Sequence, residues 1–149
     1  DAYVTFGNVD RPGRLAAHLP PGCRFVDAEV IEIEGLAVGF AGGGAPGLGI
    51  PGEVTEDEMR DKLSSLGDVD VLCTHVAPAV RMLSGDVIGG RPKHSGVVLE
   101  YLLQHRPRWH YFGDIHQPQA IRWRVGDTEC RNVGYFRATR RAVRHPRVS

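Results

Sequence analysis

The chain has 149 residues, enough for one domain with a buried core. Its 42% hydrophobic and 24% charged content is ordinary for a soluble globular protein, and 18 basic residues balance 18 acidic ones. No stretch approaches the roughly 18 apolar residues of a membrane span, and no signal peptide opens the chain, so we expect no membrane contact. The three cysteines lack C-x-x-C spacing, which favours a reduced, cytoplasmic setting.

The first third of the chain predicts strands and turns. An apolar strand over 3–6 leads into Gly7 and Asn8, and a turn of helix follows over 15–19. Alternating apolar and polar residues predict a half-buried strand that includes 25–34, with 36–40 as its hairpin partner.

The middle of the chain begins with a glycine-rich loop over 41–47, which lacks the lysine and hydroxyl of a phosphate-binding P-loop. We expect this loop to form a flexible rim whose backbone N–H groups can still contact a phosphate. Thr55 and Glu58 form a capping box, which predicts a helix ending at Gly67. The strand over 69–74 then delivers His75.

The last part repeats this order of helix and strand. A long connection over 76–94 precedes a helix capped by Ser95, and the strand 109–112 follows. The segments 120–125 and 128–133 predict a closing hairpin. The chain therefore predicts an α/β fold without a second domain.

A potential metal ligand follows an apolar strand three times. These ligands are Asn8, then His75, then Asp114 together with His116, which point to the same side if the backbone is extended. Sites in open α/β sheets collect beyond the carboxyl ends of strands, so the three strand ends predict one site. Carbonyl, carboxylate and imidazole donors suit Mn, Mg, Fe or Zn and exclude a thiolate-type zinc site.

These segments resemble the later motifs of the calcineurin-like metallophosphoesterases, namely G-N-H-D/E, a lone histidine and G-H-x-H. The matching stretches are 7–10, 74–75 and 113–116, and the resemblance extends to about residue 136. It implies an αββα two-sheet sandwich that lacks its N-terminal strand-helix-strand portion, because the D-x-H and G-D-x-x-D motifs are absent. The Gly85-Asp86 and Gly67-Asp68 pairs lack a second aspartate at the right spacing.

The resemblance also implies a ligand set and a reaction. Asn8, His75 and Asp114 would hold one divalent metal ion and His116 a second, with Mn the favoured metal. Asn8, His75 and Asp10 are the expected catalytic residues, Asp10 as a carboxylate behind the ligands. The implied reaction is in-line attack of a metal-activated hydroxide on a phosphomonoester or diester of a small molecule or nucleotide.

Two departures from the family motifs change the expected chemistry. Asp114 stands where the family has histidine, and its hard oxygen should shift the preference towards Mn or Mg. Val9 stands where the family has a histidine thought to assist the leaving group, so we expect good leaving groups to be favoured unless His94 substitutes. The histidines at 18, 105 and 145 are expected to be solvated, and His110 to pack.

Two hypotheses remain open at this stage. The chain is either residues 1–136 of one metallophosphoesterase domain, needing the missing segment in cis or trans, or an inactive remnant or anion-binding module. The tail over 137–149 is rich in arginine and could bind nucleic acid, although a solvated terminus is the simpler expectation. Metal content would distinguish the two hypotheses.

Overall fold

A computed structural model describes residues 1–86, 88, 91, 93–117 and 121–147. These residues form an α/β fold with a six-stranded mixed sheet and a two-stranded parallel sheet. The strands are β1 (Ala2–Val4), β2 (Cys23–Phe25), β3 (Glu29–Ile33), β4 (Leu36–Ala41), β5 (Val71–Thr74), β6 (Trp109–Phe112), β7 (Arg122–Val125) and β8 (Thr128–Asn132). The helices are α1 (Pro12–Ala17), α2 (Glu56–Leu66), α3 (Arg81–Ser84), α4 (Gly96–His105) and α5 (Phe136–Thr139).

The larger sheet has the strand order β3-β4-β5-β6-β8-β7. Its four middle strands are parallel, and an antiparallel hairpin partner flanks them on each edge. Strands β1 and β2 form the small sheet. Because β5 and β6 are parallel neighbours, the loops after Thr74 and Phe112 leave the sheet side by side at its carboxyl edge, where sites in such sheets form.

Side-chain alternation separates the core into two layers. On one face of the sheet, Leu72, Phe112 and Cys130 are fully buried with residues of α2 and α4. On the other face, Val71 and Trp109 pack with Val26, which follows β2. The cluster on the helical face contains more of the buried residues, so most of the apolar burial occurs there.

The predicted capping box is present at the start of α2. The Glu58 N–H donates to Thr55 Oγ1 at 3.1 Å, and the Glu58 carboxylate accepts from the Thr55 N–H at 2.6 Å. The helix buries Met59, Leu63 and Leu66, the stripe that their spacing predicted. Hydrogen bonding to Thr55 lowers the pKa of the Glu58 carboxyl.

Removing this cap should weaken the fold measurably. For Thr55→Ala we expect a loss of about 1 kcal/mol in the free energy of unfolding, because the Glu58 N–H loses its acceptor. Ser64→Ala, at an exposed position of the same helix, is the control and should stay within about 0.5 kcal/mol of wild type. Urea unfolding measures both, and equal losses in the two variants would contradict the role of the cap.

The predicted strand over 25–34 is confirmed only in its second half, because the chain changes sheets within it. Strand β2 ends at Phe25, Ala28 has φ 51°, and β3 begins at Glu29. The cause is Asp27, whose carboxylate accepts from the Gly42 N–H at 2.9 Å and from Lys62 Nζ at 2.8 Å. These partners are distant in sequence, so alternation could not reveal the break.

Three further expectations need correction or refinement. The connection over 76–94 contains α3. His105 and His145 are not simply solvated. The ring of His105 stacks on that of Tyr101, with 4.4 Å between their centroids. The centroid of the His145 ring lies 4.6 Å from that of Trp109, and its Nδ1 hydrogen-bonds with the Tyr111 hydroxyl. His110 packs in the core as expected.

Parts of the predicted connection over 76–94, of the closing hairpin and of the tail lie outside the described residues. The part of the chain that the structure describes has no helix long and apolar enough to cross a membrane.

Candidate metal centre

His75 is held at the carboxyl end of β5 by two glycines. A Cβ atom on Gly7 would lie 2.6 Å from His75 Cε1, and one on Gly113 would lie 3.4 Å from Nδ1. The Gly113 N–H also donates to the His75 carbonyl at 3.0 Å. The glycine of each flanking motif therefore lets the imidazole sit directly against backbone, which fixes the direction of its ring.

Three of the predicted ligands meet at this ring. Asn8 Oδ1 lies 3.2 Å from His75 Nε2, and Asp114 Oδ1 lies 3.5 Å from the same nitrogen. The three residues come from the loops after β1, β5 and β6, so three of the four predicted ligands lie together, although β1 belongs to the small sheet. We call Asn8, His75 and Asp114 the ligand triad.

The donor set and spacing of the ligand triad fit one divalent ion. Ligand atoms bonded to an ion at about 2.0–2.2 Å are separated by about 3.0–3.5 Å, which the distances of 3.2 and 3.5 Å from His75 Nε2 to Asn8 Oδ1 and Asp114 Oδ1 match. Among the described residues, no group of three His, Cys, Asp or Glu side chains is placed to hold an ion. The side-chain carbonyl of Asn8 would therefore complete the set, and such a carbonyl is a normal ligand for hard cations.

The loop that carries Asn8 is fixed by backbone and carboxylate contacts. Asp10 Oδ2 accepts from the Gly7 N–H at 2.7 Å, and the Gly52 N–H donates to the backbone carbonyl of Asn8 at 2.9 Å. Asp10 thus stabilises the ligand turn, while its assignment as a catalytic residue stays a prediction. A cavity of about 410 Å³ opens beside the turn, lined by Val9, Asp10, Arg11, Arg14, Leu15 and His18.

Asp114 has an unusual backbone conformation and a shifted pKa. Its φ is 60°, a left-handed value that costs energy for most residues but that aspartate tolerates. Burial by itself would raise the pKa of this carboxyl, yet the hydrogen bond and charge of His75 and the charge of Lys93 lower it overall. The carboxylate is therefore ionised.

His116 lies in a second group, beside the ligand triad. Its Nδ1 is 3.2 Å from Asp86 Oδ2, and Lys93 Nζ is 2.7 Å from the same oxygen. Lys93 Nζ also reaches Asp114 Oδ1 at 3.5 Å, so the ammonium links the two groups. Burial alone would lower the pKa of Lys93, but Asp86 and Asp114 raise it.

A hydrogen-bond network holds the second group in place. Asn132, at the end of β8, donates to the Ile115 carbonyl at 2.8 Å and to Gln117 Oε1 at 2.9 Å. Gln117 in turn donates to the Gly85 carbonyl at 3.1 Å. The residues on either side of His116 are thereby fixed to the sheet and to the residue before Asp86.

The backbone around His75 is fixed from inside the core. The Thr74 hydroxyl donates to the Val76 carbonyl at 2.7 Å and therefore accepts from His110 Nε2 at 2.8 Å. His110 is fully buried, and burial lowers its pKa to about 3, so the ring is neutral. A neutral histidine protonated at Nε2 thus orients the residue before the ligand.

The glycine-rich loop does not offer its backbone N–H groups to a phosphate, contrary to expectation. The Glu53 carboxylate accepts from the N–H groups of Gly47, Leu48 and Gly49 at 2.8–3.2 Å. Earlier in the loop, the Gly42 N–H bonds Asp27. These donors are already satisfied within the chain, and the negative charge of Glu53 occupies the place that an anion would need.

Sequence patterns missed two residues of this site, Asp86 and Lys93. The Gly85-Asp86 pair lacks the family's second aspartate, and in the basic stretch 91–94 the patterns pointed only to His94. His94 is exposed, whereas Lys93 is half-buried between two carboxylates. The available signal was that Asp86 and Lys93 both lie in the glycine-rich connection that follows His75 and precedes Asp114.

Solved structures support the fold. One crystal structure matches this chain with a TM-score of 0.64 and 16% identity over 91% of its length. The crystal structure of TT1561 of Thermus thermophilus matches with a TM-score of 0.60 and 18% identity over 89%. At these identities the likeness concerns the fold alone.

The chain is shorter than these structures. It spans 58% and 62% of the two matched chains, respectively. No family model matches the chain, and no curated protein matches it in sequence.

Proposed function

We propose that this chain forms part of a calcineurin-like metallophosphoesterase domain and uses a divalent ion to hydrolyse a phosphoester. The observation that carries the proposal is the ligand triad, in which Asn8 Oδ1 and Asp114 Oδ1 lie 3.2 and 3.5 Å from His75 Nε2. Three loops that are distant in sequence deliver these atoms to one point. A bound ion would lower the pKa of a water molecule and neutralise phosphoryl oxygens.

The residues of the chain have separate roles in this proposal. His75 would offer the lone pair of Nε2 when its proton is on Nδ1, and the two glycines against the ring keep that nitrogen aimed at Asn8 and Asp114. Asp114 supplies negative charge and, with Mn or Mg, a preferred oxygen ligand. Asp10 keeps the Asn8 turn closed through the Gly7 N–H.

The cavity beside Asn8 gives the organic part of a phosphoester a place to bind. Its wall combines apolar Val9 and Leu15 with two arginines, Arg11 and Arg14, and one carboxylate, Asp10; the arginines suit the phosphate of a nucleotide or another anionic ester. Val9 is 70% exposed and has no proton to donate. The reaction would therefore favour esters whose leaving groups need no proton, such as nitrophenolates.

Metal binding by the full chain tests this function. We expect wild type to bind Mn²⁺ and to hydrolyse bis(p-nitrophenyl) phosphate with Mn²⁺ present. His75→Ala and Asp114→Asn should each weaken Mn²⁺ binding by about 100-fold or more, because the first removes a direct ligand and the second removes the negative charge of another. Isothermal titration calorimetry measures the affinity, and chelation of the metal should abolish hydrolysis.

Asp127→Asn is the matched control for Asp114→Asn, because Asp127 is exposed in the turn between β7 and β8. It should bind Mn²⁺ as wild type does. Wild-type protein that binds no metal would contradict the proposal and favour an inactive remnant or an anion-binding module.

A further inference from the structure

Lys93 provides a fixed positive charge between the two carboxylates of the site. Its Nζ lies 2.7 Å from Asp86 Oδ2 and 3.5 Å from Asp114 Oδ1. The Asp86 side chain is fully buried, and its other oxygen accepts from the Ile88 N–H at 2.8 Å. The ammonium thus stands between a carboxylate of the ligand triad and the carboxylate that bonds His116.

A cation at this position offsets the negative charge of the site. Asp86 and Asp114 contribute two negative charges, and a buried carboxylate without a partner is strongly unfavourable. In a two-ion site, metal ions would provide the compensating charge. Here Lys93 Nζ lies 2.7 Å from Asp86 Oδ2 and His116 Nδ1 lies 3.2 Å from it, so an ion that bound this oxygen would compete with the lysine.

The ligand triad has weaker contact with Lys93 than Asp86 has. Lys93 Nζ is 3.5 Å from Asp114 Oδ1, farther than from Asp86 Oδ2, whereas Asn8 Oδ1 and His75 Nε2, from the loops after β1 and β5, lie 3.2 Å apart. One ion can therefore bind the ligand triad while Lys93 stays on Asp86. His116 then acts as a hydrogen-bond partner of Asp86 instead of a metal ligand.

We propose that this chain binds a single divalent ion on Asn8, His75 and Asp114, and that Lys93 takes the place of a second ion beside Asp86 and His116. The inference rests on the proposed function, because it assumes that the ligand triad holds metal. It differs from the two-ion arrangement that the motifs imply. It also assigns a positioning residue that the motifs do not contain.

Removing the ammonium should open the second position. In Lys93→Met the Asp86 carboxylate loses the ammonium of Lys93, and we expect Asp86, His116 and Asp114 to act as ligands for another ion. We therefore expect wild type to bind one Mn²⁺ per chain and Lys93→Met to bind two. The double variant Lys93→Met/His116→Ala should bind one again.

Lys62→Met is the matched control. Lys62 also pairs with an aspartate, Asp27 at 2.8 Å, and is similarly half-buried, but it lies outside the site. This variant should bind one Mn²⁺ per chain. Calorimetric titration and elemental analysis after dialysis measure the stoichiometry, and circular dichroism verifies that each variant is folded.

The outcomes separate this inference from the function on which it rests. Wild type with no bound ion would refute the proposed function, whereas wild type with two ions, or a folded Lys93→Met with one, would refute only the role of Lys93. If Lys93→Met does not fold, His116→Ala decides in its place. The inference requires that His116→Ala keep one ion with an affinity within about twofold of wild type, and loss of an ion would overturn it.

Discussion

Gly52→Ala should cause the largest loss of stability of the variants considered, about 3 kcal/mol or more in the free energy of unfolding. A Cβ atom at this position would overlap the Gly7 carbonyl oxygen and lie 2.9 Å from both the Asn8 carbonyl carbon and the Asp10 carbonyl oxygen. All three neighbours are backbone atoms, which cannot move aside as a flexible side chain can. The Gly52 N–H would also be pushed away from the Asn8 carbonyl.

The same substitution should damage the ligand triad, because it displaces the turn that aims Asn8 at His75. We expect Mn²⁺ binding to weaken at least about tenfold in the fraction that remains folded. Urea unfolding and calorimetric titration measure the two effects.

Gly13→Ala is the control for Gly52→Ala. Gly13 is in α1, and a Cβ atom there would contact nothing within 4 Å. Because alanine has a higher helix propensity than glycine, this variant should be as stable as wild type or gain up to about 1 kcal/mol in the free energy of unfolding. A Gly52→Ala protein as stable as Gly13→Ala would show that the loop from 47 to 53 does not hold the ligand turn.

His110 should make the fold sensitive to acid. Burial lowers its pKa to about 3 in the folded protein, whereas an unfolded histidine titrates near 6.5. Below pH 6.5 the unfolded chain therefore binds a proton that the folded chain excludes. The free energy of unfolding should fall by about 1.4 kcal/mol per pH unit as the pH decreases from 6.5 towards 3.

Substitution by leucine isolates this effect. A pH of 4.5 is two pH units below the unfolded pKa. At this pH, His110 should lower the free energy of unfolding of the wild type by about 2.7 kcal/mol relative to pH 8. His110→Leu should lack this cost, so its stability relative to wild type should improve by the same amount between pH 8 and pH 4.5. Chemical unfolding at the two pH values measures the difference.

Phe112→Leu provides the comparison, because Phe112 is buried on the same strand and the same face but does not titrate. Its destabilisation should be equal at both pH values. A His110→Leu variant whose stability relative to wild type is the same at pH 8 and pH 4.5 would show that the folded protein protonates His110.

Elements with local signals were predicted well. Helix α2 begins at the capping box that Thr55 and Glu58 encode and buries the predicted stripe, because both features depend on residues within one or a few turns. The hairpins at the edges of the large sheet were also predicted from short segments joined by tight turns. The segment 25–34 was not, since its break depends on Asp27 contacts with Gly42 and Lys62.

The site divides in the same way. Asn8, His75 and Asp114 could be picked out because each follows a recognisable apolar strand, and the parallel strands β5 and β6 bring His75 and Asp114 to one edge of the sheet. Only the tertiary structure decided that Asn8, which follows a strand of the small sheet, reaches the same point. Asp86 and Lys93 lie in a connection without periodic hydrophobicity, so no pattern predicts where their side chains point. The two-sheet sandwich that the resemblance implies stays a prediction beyond the mixed α/β fold itself.

The sequence by itself therefore determined the α/β class, most of the strands and the positions of Asn8, His75 and Asp114 after strand ends, because these follow from local periodicity, capping and strand boundaries. Only the tertiary structure decided that Lys93 lies between Asp86 and Asp114, that Glu53 fills the glycine-rich loop and that His110 is a neutral buried partner of Thr74. The physical reason is that charge compensation and hydrogen bonding among buried groups depend on distances between residues far apart in the chain, which no local pattern records.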